Sequence, residues 1–288
     1  MKDLIKKSLL FIFLLLIPIV VLIVIIKSNS REIIPKLERY SNFSTLIMGD
    51  SQMQRINPEG FENKKTGNFA SSGEHYYFTY QKLKFLTGNK NSNLEQIIIG
   101  VSPHNFAPIY SKLFDPSTAQ GANSIERYYY FINDNDFVNL LDVLKFKHLR
   151  NIVIANPDWG GFYKSNKSKL DTVTINRVFK MHFEGMSKDF SQSQEKYLGK
   201  IVELCLLEKI DLTFVATPYH PFYKSKIDNY YLTRYNAVIN KYQSANYLNF
   251  MNDSINLEWM SDGNHLSLKG SSVYSKKISD AIGSPKER

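Results

Sequence analysis

Four short apolar runs, each followed by a turn, set the strongest limit on what this chain can fold into. The runs are Thr45–Met48, Gln96–Val101, 211–216 and 247–250, with a shorter candidate within 64–73. The stretches 74–87, 192–208 and the one after Ser267 instead carry apolar residues at spacings of three and four, which predicts amphipathic helices. Short strands that alternate with helices predict an α/β fold, here a three-layer sandwich with a mainly parallel central sheet.

Small and polar residues stand at the carboxyl ends of three of these predicted strands. Ser51 follows the first strand, Gly73 the short second one, and Ser102 the run that begins at Gln96. In parallel α/β sheets, ligands bind in the crevice outside the carboxyl ends of the strands. We therefore expect Ser51, Gly73 and Ser102 to share one site.

An unbroken apolar run from Leu9 to Ile26 precedes the predicted α/β body. A membrane-spanning helix needs roughly 20 residues, with about 17 tolerated. The apolar region of a cleaved signal peptide is shorter, about 7–15 residues, and ends at a small-residue cleavage site. Because this run is longer and the following Lys27-Ser-Asn-Ser-Arg31 has no such site, we predict an uncleaved transmembrane anchor.

The chain then divides into a cytoplasmic tail at 1–8, the anchor at 9–26, a linker at 27–43 and a folded domain at 44–288. Positive charges flank the anchor almost equally, so its orientation depends on the very short tail before a large body. We predict that the body is extracytoplasmic, either periplasmic or at the cell surface. The aromatic stretch at about 106–190 breaks the strand–helix rhythm and is predicted to be an insertion that forms a wall of the cleft. Its aromatic side chains would serve packing or would stack against a sugar ring.

Composition excludes several classes of function. The formal net charge is +9, but it includes no dense basic run, and no nucleic-acid-binding motif is present. We therefore predict no nucleic-acid partner. The six histidines show no metal-binding spacing, so neither a metal nor another cofactor is expected. The single cysteine, Cys205, cannot form an intrachain disulfide.

Ser51 is the candidate nucleophile, and His265 with Asp262 is the candidate base pair. A serine hydroxyl reacts only when a general base lies within hydrogen-bond reach, and a carboxylate on the other imidazole nitrogen fixes the tautomer of that base. Asp262-Gly-Asn-His265 directly precedes the last predicted helix, and its spacing lets the carboxylate contact the imidazole. Each motif is common by chance. Gly49-Asp50-Ser51 could be only a strand-to-turn connection in which Asp50 caps a helix, and His265 could be a surface histidine.

The order of these motifs resembles that of the SGNH hydrolase (GDSL esterase) superfamily, a flavodoxin-like fold. The resemblance rests on Gly49-Asp50-Ser51 after an apolar strand, Asn68–Gly73 as a second block, and Asp262-x-x-His265 before a C-terminal helix. It implies that Ser51 is the nucleophile, His265 the base and Asp262 its partner. It also implies that the backbone amides of Ser51 and Gly73 form an oxyanion hole.

The third block departs from the pattern of that superfamily. Its usual Gly-x-Asn-Asp is Gly100-Val-Ser102-Pro-His-Asn105 here, and Gln52 replaces the leucine of the GDSL name. Ser102, or Asn105 as its substitute, is therefore expected to supply the third oxyanion donor. Gln52, His104 and Asn105 are expected to bind substrate.

These departures, together with an N-terminal anchor, resemble the DltD-like and AlgJ-like envelope branch of the superfamily. The resemblance implies a membrane-anchored serine esterase or O-acyltransferase. It would act, through an acyl-serine intermediate, on acyl esters of a cell-envelope or exported polysaccharide, with acetyl as the favoured acyl group. Its partner would be a membrane-bound O-acyltransferase. The alternative is a catalytically impaired protein of this fold that binds glycan or acts as a scaffold for such an acyltransferase.

Overall fold

The computed structural model describes residues 39–61, 64–88, 92–132, 159–164, 170–183 and 190–283, with a few isolated positions before residue 39. Its centre is a five-stranded sheet in which every neighbouring pair of strands is parallel. The strands are β1 (Thr45–Met48), β2 (Thr66–Asn68), β3 (Gln96–Gly100), β4 (Asp211–Ala216) and β5 (Asn246–Asn249). The predicted α/β fold with a parallel sheet is thereby confirmed.

Helices flank this sheet. They are α1 (Tyr76–Thr87), α2 (Ile109–Phe114), α3 (Ala119–Tyr128), α4 (Thr172–Phe183), α5 (Gln192–Leu207), α6 (Pro221–Lys224), α7 (Asn229–Lys241) and α8 (Leu268–Gly283). Short 3₁₀ helices connect several of them, at Met53–Arg55, Pro58–Gly60, Pro103–Phe106, Tyr129–Phe131 and Leu257–Trp259.

Alternate residues of β1, β3, β4 and β5 enter two separate apolar cores, one on each face of the sheet. Leu46 and Met48 of β1 pack into the larger core with α1, α5 and α7. Ile47, which points the opposite way, packs into the smaller core with Tyr274 and Ile278 of α8. Because successive side chains of a strand point to opposite faces, a strand that is apolar at every position must be covered on both sides. This pattern gives the three layers.

The strand order is β2-β1-β3-β4-β5, so the chain passes from β2 over β1 to reach β3. The order therefore reverses at β1, and connections leave β1 and β3 in opposite directions. Crevices in parallel sheets open at such switch points, outside the carboxyl ends of the strands. Ser51 follows β1 and consequently lies at this position.

Two predictions on the rest of the chain concern segments that are largely outside the described residues. Within the described part, no helix is both long enough and apolar enough to cross a membrane. The predicted anchor at 9–26 falls almost wholly on residues that are not described, and so does about half of the predicted insertion at 106–190. The described parts of that insertion form α2, α3, α4 and the segment 159–164.

Candidate active site

The nucleophile turn begins where β1 ends. Gly49 has a φ of +116°, a backbone conformation that glycine adopts without strain. A Cβ at this position would also meet the amide nitrogen of Gly100 at 3.3 Å. The turn sends the Asp50 side chain into the interior, where it is 1% exposed. Ser51 is left half-buried at the lip of a cleft.

The second half of the site is a closed loop that directly precedes α8. Met260 and Leu266 pair as an isolated antiparallel bridge, and the amide of Ser261 donates to the carbonyl of His265 at 2.8 Å. Within the loop, Asp262 Oδ1 accepts from the amides of Asn264 and His265, both at 3.0 Å. This Asx-type turn brings the Asp262 carboxylate next to the imidazole of His265, three residues later.

A continuous hydrogen-bonded chain joins the two halves across 214 positions of sequence. Ser51 Oγ lies 2.7 Å from His265 Nε2, and His265 Nδ1 lies 2.9 Å from Asp262 Oδ2. Burial opposes the ionised form of Asp262, but the hydrogen bonds from His265 and two backbone amides, together with the positive charge of His265 when it is protonated, lower the pKa of the carboxyl to about 2. An ionised Asp262 accepts the proton on Nδ1, which leaves Nε2 as the acceptor that faces the serine hydroxyl.

Two backbone amides beside Ser51 are available to an oxyanion. Ser51 and Gly73 both line the cleft, and the amide of neither donates a hydrogen bond within the described part of the chain. Gly73 has a φ of +66°, so the turn after β2 suits a residue without a side chain. Free amides fixed in this way are the groups that stabilise negative charge on a reacting carbonyl oxygen.

The expected third oxyanion donor is not at the cleft, which corrects the sequence-based prediction. Ser102 and Asn105 are 0% and 1% exposed. The Asn105 side-chain amide donates to Asp50 Oδ2 at 2.8 Å, and its carbonyl oxygen accepts from the Ser102 amide. The Ser102 hydroxyl donates to Gln52 Oε1 at 3.0 Å. Both side chains therefore hold the floor of the site together and do not face its opening.

The predicted substrate contacts of Gln52, His104 and Asn105 are corrected for the same reason. All three are buried beneath the cleft and none lines it. Gln52 Nε2 donates to the carbonyl of Asn264 at 2.9 Å, so this side chain links the nucleophile turn to the loop that carries His265. The role of Gln52 here is to position other groups.

Asp50 is the centre of a buried polar network that no motif in the sequence predicts. Its Oδ1 accepts from the Gln52 amide at 3.0 Å. Its Oδ2 accepts from His104 Nε2 at 2.7 Å, from the Asn105 amide and from the Tyr110 hydroxyl at 2.5 Å. Burial alone would raise the pKa of Asp50, but the charge and hydrogen bond of His104 and the bonds from Tyr110 and Gln52 hold it well below its usual range. Although Asp50 does accept one amide proton from the following turn, it is far more than a helix cap.

The cleft has a volume of about 700 Å³, within the range of small-molecule binding sites. Besides Ser51, Gly73, Asp262 and His265, its lining includes Arg55, Tyr110, Leu113, Tyr163, Met181 and His182. Burial is the main cause that lowers the pKa of His182 well below its ordinary value, so this cleft imidazole is neutral. None of these six is a predicted site residue, but all except Arg55 lie at about 106–190, the stretch predicted to form a wall of the cleft. A signal for Arg55 existed, since it lies one helical turn after Ser51.

The aromatic residues of the predicted insertion divide between two roles. Tyr128, Phe131 and Trp159 are buried and pack in the larger core. Tyr163 is 55% exposed and lines the cleft. Among the described residues, no three His, Cys, Asp or Glu side chains are placed to hold a metal ion.

Comparisons with known proteins add little to this geometry. No protein-family model matches the sequence, and no curated protein matches it. A solved structure described as "a putative platelet activating factor from Streptococcus pneumonia" is similar over 88% of this chain and 92% of its own, with 11% identity and a TM-score of 0.44.

Proposed function

We propose that this protein is a serine esterase or O-acyltransferase that works through an acyl-Ser51 intermediate. The observation that carries the proposal is the continuous chain Ser51 Oγ–His265–Asp262, with steps of 2.7 and 2.9 Å, at the lip of a cleft. A nucleophile within hydrogen-bond reach of a base that a third group orients is the arrangement that acyl transfer requires.

In the first half-reaction, Ser51 Oγ attacks the ester carbonyl while His265 Nε2 takes the hydroxyl proton. The amides of Ser51 and Gly73 hold the oxyanion, and Asp262 stabilises the imidazolium at Nδ1. His265 then returns the proton to the leaving alcohol as the C–O bond of the ester breaks. In the second half-reaction, His265 deprotonates water or an acceptor hydroxyl, which attacks the acyl-serine and restores free Ser51.

The finer parts of the proposal come from the sequence resemblance to the SGNH superfamily and its envelope branch. We place the domain outside the cytoplasmic membrane on the predicted anchor at 9–26. There it would transfer acyl groups to, or remove them from, a cell-envelope or exported polysaccharide, and acetyl is the favoured acyl group. A membrane-bound O-acyltransferase is the proposed partner. The cleft volume of about 700 Å³ is compatible with a saccharide ester.

The test is covalent labelling of the purified protein with a fluorophosphonate probe, together with hydrolysis of a simple acetate ester. Ser51→Ala should abolish labelling and lower kcat by at least about 10⁴-fold. Ser72→Ala is the matched control, since Ser72 lines the same cleft without contacting His265, and it should label normally. Labelling that survives in Ser51→Ala would show that the nucleophile is another residue.

The placement of Asn105 favours a second candidate, a glycan-binding or scaffolding protein whose catalysis is impaired. With the Asn105 amide committed to Asp50, the structure offers two backbone donors to the oxyanion. Loss of one donor costs about 10²–10³ in rate. Saccharide binding by wild-type protein that neither labels nor hydrolyses acetate esters would support this candidate. Faster product formation with an added sugar acceptor than with water would identify a transferase.

A further inference from the structure

Arg55 is a cation in the same cleft as Ser51, and it lacks a dedicated acidic partner. No carboxylate lies within 4.0 Å of its guanidinium in the described part of the chain, although four lysine–carboxylate ion pairs occur there. Its hydrogen-bond donors are nearly free too. One long contact of 3.5 Å joins its Nη1 to the carbonyl of Tyr163. An arginine carries five N–H donors in a planar fork and remains charged in proteins.

Asp262 is the nearest source of compensating charge, and its oxygens are already committed. Its carboxylate is close enough to favour the charged form of Arg55, against burial, which lowers the pKa of the guanidinium. Both oxygens of Asp262, however, face His265 Nδ1, and Oδ1 also accepts two backbone amides. The donors of Arg55 therefore remain directed to whatever occupies the cleft.

Tyr163 and the segment that carries it hold Arg55 in place. The guanidinium carbon lies 4.6 Å from the centre of the Tyr163 ring, within cation–π range. The Tyr163 amide donates to the carbonyl of Gln54 at 2.8 Å, and the amide of Gly161 donates to the carbonyl of Ala70, also at 2.8 Å. Segment 159–164 is thus hydrogen-bonded both to the residues that follow the nucleophile turn and to those that follow β2. A stacked arginine loses less conformational freedom when it binds an anion, because its plane is already fixed.

We propose that Arg55, backed by Tyr163, is the anion-binding subsite of the cleft, so that the acyl ester processed at Ser51 carries a carboxylate or phosphate group. The inference rests on the proposed function for the identity of the ester, but the binding of the anion does not depend on catalysis. Arg55 forms charge-assisted hydrogen bonds with the anionic group and orients the ester relative to Ser51. Carboxylate and phosphate are the groups that match the planar guanidinium fork.

The test compares three acetate esters that share an aryl acetate core: 4-acetoxybenzoate, its neutral methyl ester and 4-acetoxyphenyl phosphate. We measure kcat/KM for each with full-length wild-type protein and with Arg55→Met. Dividing the value for a charged ester by that for the neutral ester, and comparing this ratio between variants, cancels the intrinsic reactivity of the esters. The ratio should fall about tenfold or more in Arg55→Met, the size expected for a charge-assisted hydrogen bond. A fall for one charged ester alone identifies carboxylate or phosphate as the group recognised.

Arg234→Met is the matched control. Arg234 is also half-buried and stacked on an aromatic ring, 4.8 Å from the centre of Phe190, but it does not line the cleft. Arg234→Met should have the same charged-to-neutral ratio of kcat/KM as wild type. Added salt should lower the wild-type ratio, because it screens the charge of Arg55. A ratio that is the same in wild type and Arg55→Met would overturn the proposal.

A binding measurement separates failure of this proposal from failure of the proposed function. The products 4-hydroxybenzoate and methyl 4-hydroxybenzoate are titrated into wild type and Arg55→Met by calorimetry. Preferential binding of the carboxylate that is lost in Arg55→Met supports the subsite even if no ester is hydrolysed. Equal affinities of the two variants for 4-hydroxybenzoate would refute it, whether or not Ser51 reacts.

Discussion

Replacing Asp50 by asparagine tests the claim that a buried carboxylate holds the floor of the site. The substitution keeps the shape of the side chain and removes its charge. Three donors converge on Asp50 Oδ2, from His104, Asn105 and Tyr110, while the Gln52 amide donates to Oδ1. The asparagine carbonyl oxygen can replace Asp50 Oδ2 and accept the same three hydrogen bonds. Its NH₂ group must then face the Gln52 N–H, which leaves two donors opposed.

The magnitude follows from these four bonds. A hydrogen bond to a charged group contributes about 1.5–3 kcal/mol and a neutral one about 0.5–1.5, so each retained bond loses roughly 1 kcal/mol. The unpaired Gln52 amide adds about 1–3 kcal/mol, the desolvation cost of a buried group without a partner. Partial relaxation offsets some of this sum. We therefore expect Asp50→Asn to lower the free energy of unfolding by about 3–5 kcal/mol, as for removal of one partner from a buried ion pair.

Urea unfolding followed by circular dichroism at neutral pH measures this change. Asp211→Asn is the control, because Asp211 is exposed at the start of β4, and its effect should stay within about 0.5 kcal/mol. A loss of less than about 1 kcal/mol in Asp50→Asn would show that the four bonds contribute little to the free energy of unfolding. The network would then be incidental to the position of Ser51.

Three further predictions concern the parts of the site around this floor. Gln52→Leu should lower the free energy of unfolding in urea by roughly 2–4 kcal/mol, because the buried Ser102 hydroxyl and Asn264 carbonyl each lose a hydrogen-bond partner. An unchanged urea midpoint would contradict this prediction. Gly160→Ala should displace segment 159–164 and lower kcat/KM, because Gly160 has a φ of +96° and an added Cβ would lie 1.9 Å from the carbonyl oxygen of Ala70. Gly283→Ala is the control and should leave kcat/KM unchanged, because a Cβ there meets nothing within 4 Å. Because the pKa of Asp262 is lower in the folded chain, its stabilisation is complete above about pH 4 and is lost as the pH falls toward 2. The stability difference between wild type and Asp262→Asn should therefore shrink as the pH falls through that range.

The centre of the sheet was predictable because β1, β3 and β4 each contain consecutive apolar residues. A run such as Ile97-Ile-Ile99 has no polar side to expose, so only a strand covered on both faces accommodates it. The positions of Ser51 and His265 followed from the same logic. One ends the first strand and the other precedes the last helix, and a parallel sheet brings such connections to one edge.

The partners of Asp50 were not predictable in the same way. Hydrogen bonds between distant segments depend on where tertiary packing puts each donor, and no spacing in the sequence encodes a contact between Asp50 and Tyr110. Asn105 illustrates a signal that was present but misinterpreted. It stands three residues after Ser102 at the start of a 3₁₀ helix. That is the spacing at which a side chain reaches back to the helix-capping amide, as Asn105 does here.

The two residues at which the sequence departs from the pattern that it resembles are in contact with each other. Gln52 and Ser102 hydrogen-bond beneath the cleft. Gln52 also reaches the carbonyl of Asn264, the residue before the base. A polar link therefore runs from the third strand, through the nucleophile turn, to the loop that carries His265. Because side chains of this kind hold only discrete hydrogen-bonded geometries, the link fixes the distance between Ser51 and His265 more directly than an apolar contact would.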